Sequence, residues 1–156
     1  MPETKVRPLR PDEFDEWRRR SEGFYADNMV EAGGIDSEVA SRKARTDFDT
    51  LLADGLETAD HSFYAIEDGD EAVGSLWLAE RSDDQGRMLF VYEVYVDAEA
   101  RGKGHGREAM RFAEAEAVRQ GIPAVTLNVF GGNEPARALY RSLGYRELAV
   151  YMRKEL

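Results

Sequence analysis

The sequence predicts a mixed α/β domain built around one central sheet, and three observations carry that prediction. Stretches with apolar residues at helical spacing interleave with stretches that alternate at strand spacing. Gly, Pro, Asp and Asn clusters punctuate nearly every junction. The resulting order is β-α-α-β-β-β-α-β-α-β, in which helices connect strands of a single sheet. No repeat, low-complexity segment or linker interrupts it, so residues 1–156 are expected to form one domain.

Thr4 to Leu9 reads as a short first strand, bounded by Pro8 and Pro11. Asp12 is a candidate N-cap for a helix carrying Phe14, Trp17, Phe24 and Tyr25, which Gly33-Gly34 stops. A second helix begins near Asp36 or Ser37 and sets Ala40, Ala44, Phe48, Leu51 and Leu52 on one side, ending at Asp54-Gly55. His61 to Ile66 alternates, Glu67-Asp68-Gly69-Asp70 turns, and Ala72 to Ala79 returns. After a turn at residues 82–86, Met88 to Val96 forms a long apolar strand, completing an antiparallel meander. A helix from about His105 to Gln120 buries Ala109, Met110, Ala113 and Ala117. Ala124 to Phe130 gives another strand. Gly131 to Pro135 opens a helix with Ala136, Leu139, Tyr140 and Leu143 on one stripe, and 145–154 alternates as a final strand.

Composition narrows the function. The chain has no cysteine, which removes disulfides, thiolate metal sites and cysteine nucleophiles together. His61 and His105 match no metal spacing, so no metal is expected. A net charge of −10 disfavours nucleic acid and anionic membrane as partners. No 18-residue apolar run spans a bilayer. The opening Met-Pro-Glu-Thr-Lys-Val has no apolar signal core, so a cytoplasmic location is expected.

Against that acidic background, Arg101-Gly102-Lys103-Gly104-His105-Gly106-Arg107 stands out between a strand and a helix. Its glycines leave backbone N–H groups bare and permit φ > 0. The helix behind them adds free N-terminal donors and the positive end of its dipole, a combination that binds phosphate. A P-loop would require a glycine where Arg107 stands, and the glycine spacing does not fit G-x-G-x-x-G. R-x-x-G-x-G does fit, at Arg101, Gly104 and Gly106. A Gly-rich turn without ligand is the plain alternative.

That motif resembles the pyrophosphate-binding loop of the GNAT superfamily of acyl-CoA-dependent N-acyltransferases. The element order is also similar to the GNAT fold, with the loop after the fourth strand. Asn133-Glu134-Pro135-Ala136-Arg137-Ala138-Leu139-Tyr140-Arg141-Ser142-Leu143-Gly144-Tyr145 looks like the family's N-x-x-A-x-x-L-Y-x-x-x-G-[FY] signature. The resemblance is clear over roughly residues 60–156. It implies a mixed sheet with helices on both faces, acetyl-CoA as acyl donor, and a possible homodimer, though nothing in the chain fixes the oligomeric state.

The resemblance also implies roles for particular residues. The amides of Gly102, Lys103, Gly104, His105, Gly106 and Arg107, with Arg101, take the pyrophosphate. The strand edge at Val94, Tyr95 and Val96 takes the pantetheine arm, as an added strand would, and an amide there can stabilise the oxyanion. Asn133 contacts the pantetheine, or caps the last helix, or does both. Tyr140 is the general acid near the CoA sulfur, or packs in its apolar stripe. Glu93 faces the acceptor amine as contact or base, or is an acid paired with an arginine, with a water chain as the other base. Phe24, Tyr25, Asn28 and Trp77 are candidate walls of the acceptor pocket, Trp77 equally a core residue. Asn128 stands where the branch that acetylates ribosomal-protein α-amines commonly has Glu, and Asn cannot be a base. The expected reaction is acetyl transfer to a primary amine of a small or amino-acid-like acceptor by direct attack, since no cysteine can carry an acyl group. A non-catalytic acyl-CoA-binding module and a peptide or protein N-terminal acetyltransferase are the alternatives.

Overall fold

The computed structural model describes residues 3–156; Met1 and Pro2, which head the stretch without a signal core, lie outside the described residues. A five-stranded sheet runs in the order β1 (Thr4–Pro8), β2 (His61–Asp68), β3 (Glu71–Asp83), β4 (Gly86–Val96), β5 (Val125–Leu127). The first three pairings are antiparallel and β4–β5 is parallel. The meander follows from local turn chemistry: Gly69 at φ 61° and Asp70 join β2 to β3, and Gly86 at φ 116° opens β4.

Helices cover both faces, as the sequence predicts. Helix α1 (Phe14–Gly33) ends at Gly34, whose φ of 64° suits a left-handed cap. Helix α2 (Ser37–Leu51) starts at Asp36, whose side chain accepts from Glu38 N–H at 3.1 Å. Together they bury Phe14, Trp17, Phe48 and Leu52 against Phe63 and Trp77 of the sheet. On the opposite face α3 (His105–Arg119) packs Met110, Ala113 and Ala117 against Leu76, Leu78, Leu89 and Val91. Helix α4 (Glu134–Ser142) lies on the same side, with Tyr140 and Leu143 against that cluster. Adjacent residues such as Leu76 and Trp77 therefore serve opposite cores, the period-2 alternation of a strand buried on both faces.

The structure departs from the sequence pattern at two strands. The segment 124–130 is ladder-paired only over Val125–Leu127, and 145–154, which alternates like a strand, pairs with nothing among the described residues. Alternation specifies which residues share a face. It does not supply the neighbouring edge that a strand's backbone requires.

Arg7 fastens β1 to its surroundings by reaching Glu67 on β2 (2.8 Å) and Glu13 before α1 (2.9 Å). The Arg7 hydrogen bond holds the Glu13 carboxyl down at about 2, from an ordinary 4.5. A lowered carboxylate stabilises the fold above its ordinary value, and that stabilisation is lost as pH falls through about 2. With the two side chains 18% and 23% exposed, Glu13→Gln is expected to cost about 1–2 kcal/mol at pH 7 after screening. Denaturant melts should show that gap close as pH falls toward 2.

Candidate active site

The site begins with an irregularity in the sheet. Trp77 lies opposite Glu93, but the next residue, Leu78, lies opposite Val91, so β4 carries one extra residue. Such a bulge re-aims side chains. It leaves Glu93 on the α1 side with Tyr95 and brings Tyr92, its sequence neighbour, to that side as well; Tyr92 stacks on Trp77 at 4.5 Å. Glu93 is only 8% exposed. It accepts from Ser21 Oγ (2.6 Å), Ser75 Oγ (3.2 Å) and Arg20 Nη2 (3.3 Å). Arg20 in turn donates to Ser75 Oγ at 2.5 Å and lies 4.0 Å over the Tyr95 ring. A buried carboxylate needs compensation of this kind. Glu93 thus lines a pocket and pairs with an arginine at once.

Glu93 opens onto a cavity of 840 Å³ that reaches from α1 and α2 across β4 to α4. Phe24, Tyr25 and Asn28 line it from α1, Trp77 from β3, Glu93 and Val94 from β4, and Asn133 and Tyr140 from the other layer. Residues that the sequence assigns separately to acceptor, donor and catalysis share one space. Trp77 is also plain core, 3% exposed, with its indole N–H donated to His61 Nδ1 at 2.9 Å. Asn133 is the N-cap of α4, accepting from Ala136 N–H at 3.3 Å, and it lines the cavity too. Burial pushes the Tyr140 phenol above its ordinary 10.0. No side-chain hydrogen bond engages its hydroxyl among the described residues. The hydroxyl of Tyr145, its ring neighbour at 6.0 Å, is held by Glu114.

Beside the cavity, β5 accompanies β4 only from Leu89 to Val91, so the outer edge of β4 from Tyr92 to Val96 carries no strand. The glycine loop follows. Gly102 and Gly104 have φ of 80° and 91°, and a Cβ at either would meet open space. The amides of Gly102 through Arg107 donate to no backbone acceptor among the described residues. Arg101 donates through Nε to the Val96 carbonyl (2.8 Å), which hangs the loop from the end of β4, and Lys103 is exposed. Arg107 donates to Ser142 Oγ at 2.8 Å, fastening α3 to α4. His105 contributes only its backbone here. Its side chain is 1% exposed and turned inward, with Nδ1 2.8 Å from Thr4 Oγ1 and Nε2 3.3 Å from Asp68.

Three groups at the cavity wall escape a reading of the sequence. Asp47 on α2 is held by Lys43 (2.8 Å) and accepts from the Tyr25 hydroxyl (3.3 Å). Burial, followed by Asp47, raises the Tyr25 phenol. Arg81 lies 4.7 Å over the Phe90 ring. Tyr92 arrives through the bulge. Asp47 and Arg81 depend on how α2 and β3 dock, and no motif marks them.

Comparison with known proteins identifies the family and the fold. The Acetyltransferase (GNAT) family profile matches residues 14–145. The uncharacterized N-acetyltransferase YycN of Bacillus subtilis is 31% identical over 150 residues, covering 96% of each chain. Its crystal structure superposes with a TM-score of 0.90 over 99% of both chains. A mycothiol acetyltransferase of Thermomonospora curvata is 33% identical over 134 residues, which span 86% of this chain and 41% of that protein. The aminoglycoside acetyltransferase AAC(6')-Iy, solved with a CoA bisubstrate analogue, shares the fold at a TM-score of 0.67 and 15% identity. The chain belongs to the GNAT family and is an acetyl-CoA-dependent acetyltransferase.

Proposed function

We propose that the protein acetylates a primary amine of a small-molecule or amino-acid-like acceptor by direct attack within a ternary complex. The observation that carries this reading is the single cavity walled by Glu93, Tyr140 and the α1 aromatics, continuous with the strand-free edge of β4. Its volume suits the end of a pantetheine arm together with a small acceptor. Relatives named mycothiol acetyltransferase also favour a small-molecule acceptor over a protein.

The residues fit the donor. Bare amides at 102–107, with Arg101, Lys103 and Arg107 nearby, would hold the pyrophosphate. The edge at Val94, Tyr95 and Val96 would pair with the pantetheine amides, and Asn133 adds a polar group beside them. Acetyl-CoA supplies an acyl carbon activated as a thioester. The amine nitrogen forms the new C–N bond as the C–S bond breaks. A phenol holds its proton at neutral pH, and burial, by raising that of Tyr140 above 10.0, extends this further into the alkaline range, so Tyr140 can donate to the departing sulfur. Glu93 presents negative charge to the incoming amine. Both its oxygens already accept from protein donors, so the amine must share or displace one of them. Its proton then leaves through Glu93 or water.

Glu93→Gln is expected to lower kcat/KM for the amine about 10- to 100-fold with little change in KM for acetyl-CoA. Steady-state kinetics with each substrate varied separately would check this. The acceptor class is tested by measuring thiol release from acetyl-CoA with amines, amino acids, polyamines, aminoglycosides and short peptides. Turnover with small amines is expected. Peptides outperforming every free amine, or no thiol released with any acceptor, would overturn the proposal.

A further inference from the structure

Among the described residues a single cation lines the cavity. Arg81 on β3 stands at its wall, with the guanidinium 4.7 Å over the Phe90 ring. The ring holds that group by cation–π attraction. No hydrogen bond or ion pair engages its N–H donors among the described residues, because the neighbouring carboxylates have other partners. Glu80, next to Arg81 in the chain, is taken by Arg87 at 2.6 Å. Of the two carboxylates that share the cavity, Asp47 is held by Lys43 and the Tyr25 hydroxyl, and Glu93 by Ser21, Ser75 and Arg20.

An arginine presents its donors in a planar fork, a shape that matches the oxygens of a carboxylate or a phosphate. A fork fixed at a cavity wall without a protein acceptor is suited to an anionic group on a molecule in that cavity. The pyrophosphate of the donor is too far away to be that group. The glycine loop follows Val96, which lies opposite Gly74 on β3. At about 3.3 Å per residue, β3 runs about 23 Å from Gly74 to Arg81. The anion therefore belongs to the acceptor.

The separation of Arg81 from Glu93 narrows the acceptor further. Glu93 lies opposite Trp77, and its carboxylate leans to Ser75, on the side of Trp77 away from Arg81. From Trp77 to Arg81 the strand runs about 13 Å. Aromatic rings fill the interval: Phe90 under the guanidinium meets Tyr92 at 4.7 Å, and Tyr92 stacks on Trp77 at 4.5 Å. An α-amino acid, whose nitrogen and carboxylate are neighbours, cannot reach both ends. A longer molecule can, with its middle against the rings.

We infer, building on the acetyl transfer proposed above, that Arg81 binds an anionic group of the acceptor, carboxylate or phosphate. The substrate class is then an elongated amine, with its nitrogen at Glu93, an apolar spacer along Tyr92 and Phe90, and its anion at the far end. Arg81 touches no reacting atom. It selects which amine is seated.

The test measures kcat/KM by thiol release from acetyl-CoA for matched pairs, each ω-amino carboxylate from glycine to aminooctanoate against the alkylamine of the same length. The wild type is expected to prefer aminooctanoate over octylamine about 10- to 100-fold, and to show no such preference for glycine over methylamine. Arg81→Gln should bring the ratio for the long pair close to one. Arg81→Lys should keep part of it, since the charge remains and the fork is lost. Arg81→Glu should favour diaminooctane over aminooctanoate. Aminohexyl phosphate against aminohexanoate tells which anion is preferred, and loss of that anion's advantage in Arg81→Gln supports the inference in either case. A wild type that turns over octylamine with no preference for aminooctanoate overturns this inference alone. So does a preference of equal size at every length, or one that persists in Arg81→Gln. If no amine of either series releases thiol, the acetyl-transfer reading falls and this one with it.

Discussion

Tyr140→Phe is expected to lower kcat about 10²- to 10⁴-fold, the range for loss of a positioned general acid, and to leave acetyl-CoA binding nearly unchanged. The contrast arises from the surroundings of this side chain. Its ring packs with the α3-side core and against Tyr145 at 6.0 Å, and Phe keeps that packing. Its hydroxyl takes part in no side-chain hydrogen bond among the described residues, so its removal orphans no partner and costs little stability. Deletion therefore isolates proton donation to the leaving sulfur. The phenol is raised above 10.0 by burial, so wild-type rate should fall only as pH rises through that raised value. The Phe variant should lack this alkaline limb. Thiol release measured against pH, alongside calorimetric titration with acetyl-CoA, checks both halves. Unchanged thiol release would remove Tyr140 from the reaction. A wild type that binds the donor and never releases thiol would instead point to an acyl-CoA-binding module.

What the sequence reveals about this site is what local chemistry determines. The loop at 101–107 is legible because left-handed backbone at Gly102 and Gly104 and the bare start of α3 are properties of a few consecutive residues. The stripe bearing Tyr140 and the cap at Asn133 are legible for the same reason. Glu93 is half legible. Alternation puts it on the face of Tyr95, but its partners Ser21, Arg20 and Ser75 come from α1 and β3, and the bulge that adds Tyr92 exists only in the register between two strands. His105 is read in the sequence only for its amide; that its ring turns inward toward Thr4 and Asp68 is decided by tertiary packing, which no local signal shows. The alternation over 145–154 is plain in the sequence, and its missing neighbour is invisible there, because an edge is a property of the assembled sheet.

Gly74→Ala is expected to damage donor binding more than its distance from any catalytic group suggests. Gly74 lies opposite Val96 in the β3–β4 ladder. A Cβ built there stands 2.1 Å from the Tyr95 carbonyl oxygen and 3.1 Å from Val96 Cα. Both neighbours are backbone and cannot rotate away, so the end of β4 must shift by about 1 Å, a displacement that can cost 10²-fold when it misplaces reacting groups. That strand end carries two parts of the proposed donor site. Val96 is on the edge offered to pantetheine, and its carbonyl accepts from Arg101, from which the glycine loop hangs. Moving one therefore moves the other. Acetyl-CoA affinity is expected to fall about 100-fold, with overpacking costing about 1–3 kcal/mol of stability. Gly23→Ala supplies the control, since a Cβ there meets nothing within 4 Å inside α1 and should stabilise the helix by about 0.5–1 kcal/mol. Calorimetry and thermal melts on the two variants separate a local clash from a general intolerance of added methyl groups. A Gly74→Ala protein that binds acetyl-CoA as the wild type does would mean that the end of β4 does not position the donor.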